Sequence, residues 1–258
     1  MSAPSALEVR SLVKAFGGVR AVNDVSFTVQ SGTLTALIGP NGAGKSTLFN
    51  LLTNLYGSDG GNVALFGAPL AGRTCDEVAR LGLVRTFQTA RVFAGMTVRE
   101  NVMSGAHIVT DVPAWKHALQ LTSARTQERE LSARAEALLD ALGIANLRDR
   151  PATDLPLGTQ KIVELARAMI SRPRMLLLDE PAAGLNDAET EELAALLLGV
   201  HASGTTVFVV EHNMSLVMGI ADRILVLDAG VLIANAAPAE IRANPAVIEA
   251  YVGRSASA

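Results

Sequence analysis

Gly39-Pro40-Asn41-Gly42-Ala43-Gly44-Lys45-Ser46-Thr47 fits the pattern of a glycine, four residues, then Gly-Lys followed by Ser or Thr. The run before it, Thr33-Leu34-Thr35-Ala36-Leu37-Ile38, is apolar enough to be a buried strand. The run after it, Leu48-Phe49-Asn50-Leu51-Leu52, continues as a helix. A strand that feeds a glycine loop into a helix N-terminus makes an anion site, because free backbone N–H groups and the positive end of the helix dipole face the ligand. Gly39, Gly42 and Gly44 let the backbone turn tightly and approach phosphate oxygens with no Cβ in the way. Lys45 has the reach for β- and γ-phosphates, and the Ser46 hydroxyl is a ligand for Mg²⁺. The expected fold is α/β, a parallel sheet around this loop.

The rest of the composition agrees with that class. The chain has 258 residues, room for one large domain or two small ones, and a formal charge of −3, which offers no global basic field for nucleic acid. Apolar residues make up 49% and aromatics 4%. Buried parallel strands, or an apolar docking surface for a membrane partner, would account for the high mean hydropathy of +0.31. The longest apolar stretch, residues 193–200, stops at His201, far short of the ~20 residues a membrane span needs. No signal peptide is read at the N-terminus. Cys75 is the one cysteine, so no internal disulfide is possible, which fits a reducing cytosol; it reads as a structural thiol.

Residues 7–16 and 25–29 alternate as half-buried strands do and suggest an antiparallel layer ahead of the loop. Residues 80–88 end in another short apolar run. Residues 104–127 lack periodicity and contain Pro113, so they read as irregular. Helical order resumes with the stripe Leu131, Ala135, Leu138, Leu139, Leu142 and stops at Gly143. A second helix is expected from Ile162 to Ile170, and a third from Asp187 to Val200 with acidic first turns. Met175–Asp179 and Thr206–Val210 read as buried strands, and residues 224–234 as a hairpin about Asp228-Ala229-Gly230.

Four apolar residues followed by Asp179-Glu180 form the second half of an ATPase site. Strand C-termini gather at one edge of a parallel sheet, so Asp179 would lie beside the loop and hold Mg²⁺ through water. Glu180 is then placed to orient or deprotonate the attacking water. The cofactors expected are ATP and Mg²⁺.

With both halves present, residues 7–254 resemble the nucleotide-binding subunit of an ATP-binding-cassette (ABC) transporter. The resemblance implies a P-loop NTPase core with a parallel sheet, an antiparallel β layer, a helical subdomain at about 89–172, and a tail at 255–258. It implies that Gln88 is the Q-loop glutamine that touches Mg²⁺ and faces a membrane subunit. His212 becomes the switch histidine on the γ-phosphate, and Phe16 the aromatic that stacks on adenine. The signature, usually Leu-Ser-Gly-Gly-Gln, reads Leu155-Pro156-Leu157-Gly158-Thr159 here. Gly158 remains. Pro156 removes a hydroxyl and an N–H, Thr159 returns a hydroxyl, and the helix is expected to start at Gln160. A weaker signature contact is expected from Pro156. Pro181-Ala182-Ala183-Gly184-Leu185-Asn186 stands where many relatives have Ser-Ala-Leu-Asp and is expected at a dimer interface.

Within the family, Asn101–Glu130, Glu211–Met218 and the tail Asn244–Gly253 resemble an ATPase subunit of branched-chain amino-acid importers. The implied partners are two membrane permease subunits, a second ATPase subunit (a paralogue or another copy), and, indirectly, a solute-binding protein, with no nucleic acid. The implied location is peripheral, on the cytoplasmic face of the inner membrane. Similar subunits serve importers of urea and amides, and a lipopolysaccharide-export ATPase shares much of the pattern. A soluble ribosome- or DNA-directed ABC ATPase would usually carry two cassettes or a large insert. A non-hydrolysing regulatory cassette would not need Lys45, Asp179, Glu180 and His212 together. His107, His117 and His201 lack ligand spacing and read as surface residues, and Trp115 carries no assignment.

Overall fold

The computed structural model describes residues 4–86, 92–108 and 122–252. Ten strands and nine helices of these residues are named here in chain order. The strands are β1 (Ser5–Phe16), β2 (Val19–Gln30), β3 (Leu34–Ile38), β4 (Gly60–Leu65), β5 (Ala68–Pro69), β6 (Leu83–Arg85), β7 (Met175–Asp179), β8 (Thr206–Val210), β9 (Arg223–Asp228) and β10 (Val231–Ala236). The helices are α1 (Lys45–Leu52), α2 (Cys75–Arg80), α3 (Val98–Ser104), α4 (Thr122–Ala141), α5 (Leu157–Met169), α6 (Asp187–Ala202), α7 (Met214–Ile220), α8 (Pro238–Arg242) and α9 (Pro245–Val252).

Five strands run parallel in the order β9-β3-β8-β7-β6, and β10 closes one edge antiparallel to β9. Every residue of β3, β7 and β8 is buried, as strands covered on both faces must be. Period-two alternation then divides them between two cores. Leu34, Ala36, Ile38, Leu176, Leu178, Val207 and Val209 face one, with α5 and α6. Leu37, Met175, Leu177, Phe208 and Val210 face the other, with α1 and the antiparallel sheet β2-β1-β4-β5. Phe49 of α1 meets Phe208 of β8 at a centroid distance of 5.3 Å. Each such buried ring contributes roughly 1.5–3 kcal/mol, so α1 is pinned by packing rather than by its eight-residue length. Helices α3, α4 and α5 pack on one another beside this core.

The antiparallel layer, the parallel strands and the terminal hairpin lie where the sequence puts them. Two helix starts differ, and two short helices are additional. Helix α4 begins at Thr122, nine positions before the Leu131 stripe, because its N-terminal part is polar and carries no apolar stripe to read. Helix α5 begins at Leu157 rather than at Gln160 or Ile162, since Pro156 has the extended backbone of an N-cap and permits the helix directly after it. Helices α2 and α3 are short and marked by capping boxes, Thr74 with Glu77 and Thr97 with Glu100, which the apolar pattern alone does not show. Of the segment expected to be irregular, Ser104 ends α3, residues 105–108 form a 3₁₀ turn, and 122–127 are helical. Gln88, Trp115 and His117 lie outside the described residues.

Candidate functional site

The phosphate loop leaves the C-terminal end of β3 and enters α1. Gly39 has φ 154°, and a Cβ there would lie 2.1 Å from the carbonyl oxygen of Leu227. Gly44, at φ 100°, would place a Cβ 2.1 Å from the carbonyl oxygen of Ala21. Both positions therefore need glycine for space as well as for conformation. The loop is braced from the terminal hairpin, where the Gly230 N–H donates to the Ala43 carbonyl at 2.9 Å. Within the loop, Ala43 N–H donates to Pro40. Asn41 and Ser46 are exposed, and Thr47 is half-buried at the start of α1.

Lys45 is almost fully buried, and its Nζ donates to the carbonyls of Gly39 at 2.7 Å and Pro40 at 3.0 Å. Burial pulls its pKa below the usual lysine value, while the charges of Glu180 and Asp179 oppose that shift. The ammonium is thus curled over the loop that it would help to fill.

Asp179 ends β7 and Glu180 follows it at φ 48°, left-handed for a residue with a side chain. Such a conformation costs on the order of 1–3 kcal/mol and persists only where surroundings enforce it. The Glu180 N–H donates to Val210 O at 2.9 Å. Lys161 of α5 donates to the carbonyls of Pro181 at 2.7 Å and Glu180 at 3.4 Å. Glu211, 3% exposed, accepts from the N–H groups of Ala182, His212 and Asn213 at 2.7, 2.9 and 3.1 Å. One buried carboxylate therefore ties the turn after β7 to the turn after β8. The result is a Glu180 Oε1 to His212 Nε2 contact of 2.7 Å across the carboxyl edge of the sheet. The Asp179 carboxylate pairs with Arg85 at 2.6 Å.

Phe16 ends β1 about half exposed, its ring edge-on to Tyr56 at 5.6 Å with Lys14 Nζ 5.5 Å from its centroid. Pro156 is the N-cap of α5, and Gly158 and Thr159 lie in its first turn. Gly158 packs so closely on α6 that a Cβ would stand 2.7 Å from Glu189 Oε1. His201, expected as a plain surface residue, is instead a tie. Its Nε2 lies 2.8 Å from Gly32 O and 3.4 Å from Asp222 Oδ2. Cys75 is exposed at the start of α2, with its thiol directed at Asn54 O. Arg85, Lys161 and Glu211 are the residues that sequence reasoning missed. Glu211 had a signal, as an acid at the end of a buried strand directly before His212.

Among the described residues no group of three or more His, Cys, Asp or Glu could cage a metal. The residues expected at the metal, the Ser46 hydroxyl and the Asp179 carboxylate, would make a sparse, all-oxygen donor set. That suits magnesium, which keeps waters and substrate phosphates as its other ligands.

The family model for ABC transporters matches residues 22–183, and that for the branched-chain amino acid ATP-binding cassette transporter matches residues 231–257. The chain is 43% identical over 250 residues to the high-affinity branched-chain amino acid transport ATP-binding protein LivG of Salmonella typhimurium, covering 96% of this chain and 98% of that one. It is 41% identical to BraF of Pseudomonas aeruginosa, a transport ATP-binding protein of the same description, with the same coverage. The crystal structure of the ADP conformation of MJ1267, an ATP-binding cassette of an ABC transporter, superposes with TM-score 0.82 at 30% identity, covering 96% of this chain and 99% of that one.

Proposed function

The chain belongs to the ATP-binding cassettes of ABC transporters, and from that premise we propose that it is the ATPase subunit of a branched-chain amino-acid importer. The observation that carries the reading is the meeting, at one sheet edge, of an anchored Lys45 with Asp179 and the Glu180–His212 pair. The match of residues 231–257 to the branched-chain family model favours import over lipopolysaccharide export.

In this reading the amides of residues 39–47 and the Lys45 ammonium hold the β- and γ-phosphates of ATP. Lys45 must leave the Gly39 and Pro40 carbonyls to do so, which exchanges two neutral acceptors for charged ones. Ser46 and Asp179 would hold Mg²⁺, which would supply neutralisation of charge on the phosphates. Glu180 takes the proton of the attacking water, and its left-handed backbone aims the carboxylate toward His212. His212 stabilises the closed state by reaching the γ-phosphate. Phe16 supplies an apolar face for adenine. Pro156, Gly158 and Thr159 face the nucleotide of a second ATPase subunit, and Gln88 takes part at the metal and the permease. Residues 7–254 act as one nucleotide-binding unit.

The described helices include none long and apolar enough to cross a membrane. Peripheral attachment to permeases on the cytoplasmic face follows from the reading. The test is to recover the tagged chain from detergent-solubilised native membranes and identify its companions by mass spectrometry. Two permeases and a second ATPase are expected. Recovery of the chain alone, or with ribosomes, would remove the transport reading.

A further inference from the structure

Arg85, at the end of β6, has no part in the chemistry described above, yet it bridges the two elements that carry the oxygen ligands. Its Nη2 donates to Asp179 Oδ2 at 2.6 Å, and its Nη1 donates to Asn50 Oδ1 at 2.7 Å. A longer contact from Nη1 reaches Thr53 Oγ1 at 3.4 Å, and the guanidinium carbon lies 5.7 Å from the Phe49 ring centroid. Asn50 is four residues beyond Ser46 in α1, so the two share a helix face one turn apart. The side chains of Arg85 and Asp179 are 13% and 11% exposed, so the pair is shielded from screening by solvent.

We propose that Arg85 is a positioning residue for the metal site, holding the Asp179 carboxylate in register with Ser46. The guanidinium is a rigid fork. One arm fixes the carboxylate through Oδ2 and leaves Oδ1 outside the ion pair. The other arm fixes α1, which presents Ser46. A lysine cannot replace it, since an ammonium is a point charge that does not hold two directed acceptors on different elements. The opposite role, a cation that competes with the metal for Asp179, predicts the reverse sign.

This inference rests on the proposed magnesium–ATP site. The test uses the full chain with ATP and Mn²⁺ as the probe, following retained Mn²⁺ by electron paramagnetic resonance. ATP binding is measured in parallel with excess EDTA. Arg85→Met is expected to weaken Mn²⁺ retention about tenfold or more, the scale for loss of a partner that orients a metal ligand. Arg85→Lys should recover only part of that loss. Asn50→Ala, which keeps the ion pair and removes the second anchor, should shift Mn²⁺ in the same direction by less. Metal-free ATP binding should stay near that of the parent chain in all three. Unchanged or tighter Mn²⁺ retention in Arg85→Lys and Asn50→Ala would overturn the proposal even if Arg85→Met failed to fold. Absence of any metal-dependent ATP binding in the parent chain would overturn the functional reading itself.

Discussion

Helices α1 and α5 both start without a side-chain cap, whereas α2, α3 and α6 each close their first turn with a capping box. The three capped helices spend their N-terminal donors on their own side chains. Helix α8 is uncapped too, but it opens on Pro238, which has no N–H to offer; the uncapped starts with free donors are those behind the phosphate loop and the signature. They differ in what surrounds the open end. At α1 the chain supplies a glycine loop locked by Leu227 and Ala21, a buried lysine, and acids delivered from β7. At α5 it supplies Pro156 and an exposed Leu157, with Gly158 pressed on Glu189. The first open end has its chemistry within the same chain. On the proposed reading the second is completed by a nucleotide carried on another ATPase subunit.

The largest expected effects break the self-sufficient end. Glu180→Gln keeps the shape and removes the base, so turnover should fall about 10²–10⁴-fold. ATP should still bind, and two cassettes should stay closed on it, as light scattering at high protein and ATP would show. A variant that remains monomeric with ATP would deny that the second end is completed by another copy. Lys45→Met removes the one buried ammonium at the loop, and the expected loss is about 10²–10³-fold in turnover. It should also weaken ATP binding, measured by calorimetry, which separates it from Glu180→Gln.

A smaller effect sharpens the contrast by separating scaffold from chemistry. Glu211→Ala removes the acceptor of three N–H donors, one buried and two part-buried, at a cost of about 3 kcal/mol. For a chain of this size that lowers the melting temperature by roughly 6–12 °C. Melting curves without nucleotide would show it, and ATP turnover should fall with the loss of the Glu180–His212 geometry. A stable variant with full turnover would show that the strained Glu180 backbone is held by Lys161 and the strand alone.

The self-sufficient end was the legible one. A phosphate loop between a buried strand and a helix is local in sequence, and Asp179 and Glu180 follow from the rule that parallel strands end together. What escaped was non-local. Arg85 meets Asp179 across ninety-four positions, and Glu211 meets Ala182 across twenty-nine, so no period or spacing announces either. Lys161 escaped for a related reason. It lies within an apolar helical run, where its burial depends on the two carbonyls that receive it. The start of α5 was misplaced because Pro156 was read as a loss from the signature rather than as the N-cap that lets the helix begin.

Pro156→Ser is the smallest change and the most direct test of the α5 end. The backbone at Pro156 already has extended N-cap geometry, at φ −55° and ψ 153°. A serine there can accept from an N–H two or three positions on, which would stabilise the helix by about 0.5–2 kcal/mol. It would also return the hydroxyl and N–H that the usual signature provides. In the isolated chain the expected result is a modest rise in melting temperature with no change in ATP affinity. In the assembled complex the second open end gains donors for the opposing nucleotide, and turnover should rise a few-fold, roughly the worth of one net hydrogen bond. A melting gain without any gain in turnover would mean that the α5 end is tuned for stability. Pro156 would then cost the composite site nothing, and the asymmetry between the two helix ends would be structural rather than catalytic.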